Sequence, residues 1–488
     1  MGEPTVPGTF GSTAPLRGGP LVWATAVAMA FAAYGIGLAS GRSEMLLAAG
    51  LGLAVPLLFA WRLEAGVLLL VLARPSLDVF ADRSLASYHG LALNPASVLA
   101  VLVIGIGVPY MVEAWRRLRT APVILPYLLF AAIAVPGILV APSTGGAVTE
   151  WLRLCAVLVT YALAYLAADR PAAVARLLAA IVVSALIPAA VGVGQWANGT
   201  THTVGDLNRA TGTFLQPDPY GIYLAIATVA ALTMVLAARG IWRWAAAIVM
   251  ILAAAALVVS YTRTGWVMVV LGAIVLGLVR YRALLLIVPV IVLAALLLPG
   301  VQSRVHSVSQ TREIQYGTGN SFQSRVTLWR ENLPKAQEKP LTGLGLGAIV
   351  QQSDTQSHVH SDYVRAVVET GVFGFFAYVW LLVGALVGCL AALRWARRSR
   401  SVPLQAAALA GIAASSAYLL ASGDSNLMTQ SAVSGTAWAL FACAHAAGRL
   451  GREAVAPRPL RPTVARRLRM LGAPGLRTAA YSVQRATR

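Results

Sequence analysis

The sequence predicts an all-α protein, a polytopic transmembrane bundle of about 12 to 14 spans with one long, partly helical loop. Three observations carry that expectation. Of the 488 residues, 58% are hydrophobic and only 11% charged, whereas an ordinary soluble domain is about 25% charged. Apolar runs of roughly 17 to 25 residues, the length that crosses a ~30 Å hydrocarbon core at 1.5 Å per helical residue, recur along most of the chain. The short connections between them alternate in arginine content, as a fixed topology requires.

In chain order the runs fall at 21–40, 45–61, 63–73, 95–112, 122–141, 148–168, 173–196, 218–237, 241–259, 264–280, 282–299, 373–393, 404–421 and 431–447. Residues 1–20 are polar and rich in Gly, Pro and Thr, without the basic start and early apolar core of a signal peptide. They read as a disordered terminus before a retained anchor. The run before Arg74-Pro75 is only about half a span, open as a short helix, a re-entrant segment or part of its neighbour, and it is needed to keep the alternation.

Arg62, then Arg116, Arg117 and Arg119, then Arg170 and Arg176, then Arg239 and Arg243, then Arg280 and Arg282, then Arg394, Arg397, Arg398 and Arg400 share one side. The positive-inside rule makes that side cytoplasmic. The basic tail 448–488 places both termini there, either on anionic lipid at ~1 kcal/mol per basic residue or as free disordered chain. The net charge of +20 is thereby spread over loops and tail instead of forming a nucleic-acid face. Cys155, Cys389 and Cys443 sit within apolar runs, with no metal or disulfide spacing.

The opposite connections are 41–44, 74–94, 142–147, 197–217, 260–263, 422–430 and the loop 300–372, and function is expected there. His89, His202, His306, His358 and His360 lie on that side, while His445 falls near the inner end of the last run. No internal repeat is apparent, which disfavours a repeat-built transporter.

Within the long loop, Pro340-Leu-Thr-Gly-Leu-Gly-Leu-Gly347 spaces its glycines for close backbone approach or an irregular turn, and lacks the strand-turn-helix context of a dinucleotide site. Before it, a helix would put Arg325 and Trp329 on one face. After it, Asp362, Arg365 and Glu369 share a helical face, open as a charge ladder or as chemistry. His360 stands beside them as a general-base candidate, since an unperturbed imidazole titrates at ~6.5.

A second constellation is cationic. Arg209 and Arg263 sit at outer helix ends, against the bias of the other arginines, and Arg153 lies inside the start of an apolar helix. A guanidinium there costs ~2.5–3.5 kcal/mol and wants a cavity or a partner. Glu150, three residues earlier, is the local candidate. A lipid-linked diphosphate suits several permanently charged forks, because arginine binds phosphate bidentately and keeps its charge when desolvated.

At this point the chain resembles the O-antigen ligase and polymerase superfamily of membrane glycosyltransferases. The resemblance rests on Arg209-Ala-Thr-Gly-Thr-Phe214 with Pro217-Asp-Pro-Tyr-Gly221, Tyr261-Thr-Arg-Thr-Gly265, Ser324-Arg325 with Trp329, Pro340-Leu-Thr-Gly343 with Gly345 and Gly347, and His360-Ser-Asp-Tyr363 before Glu369-Thr-Gly371. It runs from about 70 to 447 within a domain of 21–447. The resemblance implies a GT-C-like bundle in a bacterial cytoplasmic membrane. The implied activity is transfer of a glycan from undecaprenyl diphosphate to a hydroxyl on a glycan, lipid or protein acceptor, with no metal or cofactor. It implies diphosphate contacts from Arg209, Arg263, Arg325 and Arg153, acceptor activation by His360, and support from Tyr363, Glu369 and Trp329. Many relatives carry Asn after the histidine, where this chain has Ser361. No Asp-x-Asp occurs, and no close carboxylate pair lies outside the Asp362 helix. Neither metal-assisted nucleotide-sugar transfer nor two-carboxylate hydrolysis is therefore expected. The competing class is a transporter or flippase of the same lipid-linked glycan.

Overall fold

The computed structural model describes residues 17–40, 50, 54–80, 86–88, 91–93, 95–204, 207–297, 302, 312–314, 317–319, 321–352 and 359–456. His89, His306, His358, residues 1–16 of the terminus and 457–488 of the tail lie outside that set. Among the described residues, six helices are long and apolar enough to cross a membrane: Thr144–Ala167, Pro171–Ala197, Pro217–Ala237, Ile241–Val259, Asp362–Arg398 and Val402–Ala421. Shorter apolar helices stand among them, including Ile124–Val140, Arg263–Val279 and Leu284–Leu296. The molecule is a multi-pass, all-α membrane bundle.

Composition decides which helices stand inside. Ser431–Val455 packs against Thr144–Ala167, Pro171–Val183, Asp362–Arg398 and Val402–Ala421, and from Ala432 to Gly448 nearly every residue is buried. Its alanine, glycine, serine and cysteine positions let neighbouring backbones approach closely, the packing mode available where lipid supplies no hydrophobic drive between helices. Ile241–Val259 instead exposes Trp242, Trp244, Ile248 and Ile251, and Leu284–Leu296 exposes Leu286, Val290, Ile291 and Leu293. Large apolar side chains on an outer face are those a lipid environment covers.

One face of the bundle gathers the arginines. Arg170 and Arg176 both donate to Glu64, at 2.7 and 2.6 Å. Arg449 donates to the Ala168 carbonyl at 2.8 Å and Arg397 to that of Val279 at 3.0 Å. The guanidinium groups of Arg62, Arg398 and Arg449 each sit 4.9 Å over Trp61, Trp395 and Tyr165, as cations and amphipathic rings do at an interface. The last described helix runs to Val455, past the expected end at 447, and Arg449 on that extension makes two of these contacts.

The half-span resolves as an independent helix, Leu63–Ala73, that buries Leu63, Gly66, Val67, Leu70 and Val71. Glu64 anchors its start at the arginine face, and 11 residues climb ~16 Å. Arg74 follows at the far end of that climb, and its guanidinium reaches Ser431, where the helix Ser431–Val455 begins. The 173–196 run is broken at Ser184, whose hydroxyl bonds the Ile181 carbonyl and the Tyr223 hydroxyl. Among the described residues, antiparallel pairs join 86–88 to 91–93, 202–204 to 207–209 and 312–314 to 317–319. Three-residue strands carry too little alternation to be read in advance.

The expected 373–393 span is the far part of a longer helix, Asp362–Arg398, interrupted at Gly371. The glycine turn fills the break. Leu344 N–H donates to the Val368 carbonyl at 2.9 Å, Gly345 N–H to that of Glu369 at 3.1 Å, and Val372 N–H to that of Pro340 at 2.8 Å. A broken membrane helix survives only where other protein satisfies the freed backbone groups, and here a loop does so. Gly343 lies at φ +69°, with its would-be Cβ 2.3 Å from the Glu369 carbonyl carbon, which is the close approach the spacing predicted.

Candidate functional site

The 202–209 hairpin delivers Arg209 to a buried position, 4% exposed. Its Nε donates to the Ser260 carbonyl at 2.8 Å, and its Nη2 to Asp218 Oδ1 at 2.6 Å and Thr262 Oγ1 at 3.0 Å. The acceptors Ser260 and Thr262 flank Tyr261, a non-glycine residue at φ +51°. Such left-handed backbone is sparsely populated and persists where the surroundings enforce it.

Arg263 opens the next helix, Arg263–Val279. A cation there adds to the positive end of the helix dipole instead of offsetting it, an arrangement that suits an anion in front of both. Arg325, on the loop helix Ser321–Asn332, pairs with Asp424. The other Asp424 oxygen accepts from Thr264 Oγ1 at 2.7 Å. Arg263 lies in the electrostatic field of Arg325, Asp424, Asp218 and Arg209. Asp218 feels Arg209, Arg325 and His360. The structure thus brings Arg209, Arg263, Arg325 and His360 together around two aspartates, both partly exposed.

His360 is itself held in left-handed backbone, at φ +50°. On one side Val359 is buried, and its carbonyl accepts from Trp329 Nε1 at 2.8 Å. On the other, the Ser361 hydroxyl caps the helix by accepting from Val364 N–H at 3.4 Å, so serine performs the capping task open to a short polar residue there. Tyr363 donates to the Leu419 carbonyl at 2.8 Å. Trp329 and Tyr363 therefore brace the segment on which the imidazole stands.

Asp362 departs from the charge ladder. It is fully buried, accepting from the Leu427 and Met428 N–H groups at 3.1 and 3.2 Å and from the Tyr378 hydroxyl at 2.9 Å, while its own N–H donates to the Ser422 carbonyl. It clamps the 422–430 connection, which carries Asp424, to the helix that follows His360.

Arg153 and Glu369 fall into a separate chain of ion pairs. Arg153 pairs with Glu150 at 2.5 Å, Glu150 accepts from Arg365 at 3.3 Å, and Arg365 Nε donates to Glu369 at 2.7 Å. Among the described residues no His/Cys/Asp/Glu group has metal-site geometry. Sequence reasoning missed Asp218 and Asp424. Asp218 stood in a quoted motif, nine residues after Arg209, with nothing to mark it as that residue's partner, and Asp424 had no local signal.

Compared with known proteins, residues 248–379 match the O-antigen ligase family. That segment contains Arg263, Arg325, Trp329, His360, Tyr363 and Glu369 but neither Arg153 nor Arg209. The chain is also 28% identical over 193 residues to the exopolysaccharide production protein ExoQ of Rhizobium meliloti, across 35% of this chain and 43% of that relative. It therefore spans less than half of the relative's length. The resemblance to the O-antigen ligase and polymerase superfamily stands on both matches.

Proposed function

We propose that this chain, with its O-antigen ligase segment, is a membrane glycosyltransferase for surface polysaccharide. It moves a glycan from a polyprenyl-diphosphate donor to an acceptor hydroxyl at the outer face of a bacterial cytoplasmic membrane, both termini lying in the cytoplasm. The observation that carries this reading is the convergence of Arg209, Arg263 and Arg325, from three separate segments, beside His360. Arg209 pairs with Asp218 and Arg325 with Asp424, carboxylates that hold these guanidinium groups in place for an anionic ligand. The family match and the relative's role in exopolysaccharide production support the class of activity.

In the proposed step the His360 imidazole takes the acceptor hydroxyl proton as that oxygen forms a bond to the donor's anomeric carbon. The bond from that carbon to the diphosphate oxygen breaks, and the electron pair leaves with the diphosphate. Its growing charge is met by the arginines, which are fixed before the reaction begins. Arg153 supplies a further phosphate contact at the neighbouring ion-pair chain, and Glu369 holds that chain through Arg365.

Reconstitution with purified lipid-linked oligosaccharide tests the proposal. Free polyprenyl diphosphate and longer or transferred glycan are expected, and turnover is expected to persist in chelator because the arginines carry the leaving-group charge. Movement of intact donor across the bilayer without conversion would make the chain a flippase; loss in chelator restored by a divalent ion would overturn the proposed electrostatics. Arg263→Ala is expected to weaken donor binding about tenfold or more, from a charge-assisted hydrogen bond worth roughly 1.5–3 kcal/mol. Titration of labelled polyprenyl diphosphate reads this out, and an unchanged Kd removes Arg263 from the donor site.

A further inference from the structure

We propose that a notch beside Arg74 is a second lipid-phosphate site, holding the polyprenyl carrier of the acceptor; this rests on the transferase reading above. The Arg74 side chain is only 14% exposed, and a guanidinium held among apolar helices ordinarily lines a cavity or meets a partner. Its protein partners are thin. Asp78 Oδ1 lies 3.4 Å from Nη1, against about 2.7–2.9 Å for a strong charged hydrogen bond, and Ser431 Oγ accepts from Nη2 at 2.8 Å. Arg153 is close enough to add to the positive field at Arg74.

Below Arg74 lies a cavity of about 40 Å3 walled by Leu70, Val103 and Val157, several times the ~10–15 Å3 that houses one water. Gly435 borders it, and a Cβ built there would meet nothing within 4 Å, so the protein leaves this space unfilled. A cation and a hydroxyl above apolar walls match an amphiphile: phosphate at Arg74, with a branched apolar unit of the attached chain beneath. Inorganic phosphate would gain nothing from the walls, and an uncharged lipid nothing from the guanidinium. The notch adjoins the first site, because the Pro75 carbonyl accepts from Thr213 Oγ1 at 2.8 Å, in the loop that follows Arg209. Two carrier lipids would thus lie side by side, one losing its glycan and the other presenting the hydroxyl, which makes the acceptor lipid-linked and the reaction a polymerisation.

Native mass spectrometry of the full chain in detergent, titrated with a long-chain polyprenyl monophosphate, tests this. Two bound lipids are expected for the unaltered protein. Gly435→Leu, which fills the space, and Arg74→Gln, which removes the charge, should each weaken one binding event at least tenfold at an unchanged melting temperature. Arg263→Ala should weaken the other. A single bound lipid in the unaltered protein, two retained in both notch variants, or equal displacement by dioleoyl phosphatidate or inorganic phosphate would overturn the proposal. If the notch variants lose a lipid but Arg263→Ala does not, the second site stands and the donor assignment falls.

Discussion

Replacing His360 by alanine is expected to lower glycan transfer by roughly 10²–10⁴-fold, the span that general-base removal commonly produces, while donor binding survives. Alanine also adopts the φ +50° backbone less readily than histidine, which is enriched in that region. His360→Asn is the cleaner companion, because asparagine tolerates left-handed backbone and cannot take up the acceptor proton in the imidazole's place. Both variants should be equally inactive with lipid-linked donor in proteoliposomes, and both should bind labelled polyprenyl diphosphate as the unaltered chain does. Transfer at the native rate in the asparagine variant would remove the imidazole from the reaction. Inactive alanine beside active asparagine would make residue 360 a backbone hinge only.

Gly371→Ala should produce the largest loss of stability. The residue lies at φ +69°, ψ −173°, a region essentially restricted to glycine. A Cβ there would sit 2.4 Å from the Leu341 carbonyl oxygen and 2.7 Å from that of Pro340. Both obstacles are backbone of the turn that mends the helix, so relief means withdrawing the turn and exposing the groups it satisfies. Strain and overpacking together suggest roughly 2–6 kcal/mol. The measurement is thermal unfolding in detergent, with Gly194→Ala, whose Cβ would meet nothing within 4 Å, as the neutral control. A Gly371→Ala protein that melts with the control would contradict the account of the break.

Membrane segments were legible because hydrocarbon imposes a length and a composition on each one separately. The arginine-rich face followed from counting residues near helix ends. Arg209 and Arg263 were legible as anomalies, arginines at helix ends opposite most of the short-loop arginines, and the structure gives them a common neighbourhood with Arg325 and His360. What stayed hidden depends on contacts between distant segments. Asp424 is 99 residues from Arg325, and nothing local distinguishes it from any loop aspartate. Asp362 has the spacing of a ladder partner for Arg365, yet spacing fixes only the side of a helix, and the Leu427 and Met428 amides reach it across the fold. Arg74 looked like the mark of a helix end, and it is one, but nothing local revealed that its guanidinium reaches Ser431, 357 residues on.

The clamp at Asp362 bears on how the protein is made. The groups that immobilise the stretch after His360 come from 422–428, near the end of the described chain. A ribosome has released every motif residue into the bilayer before the donors that set their register are synthesised. A nascent chain stopped before residue 422 therefore carries His360 and the three arginines of the proposed site without the contacts that fix the segment after His360, and that arrangement is completed late in translation instead of growing with each helix inserted.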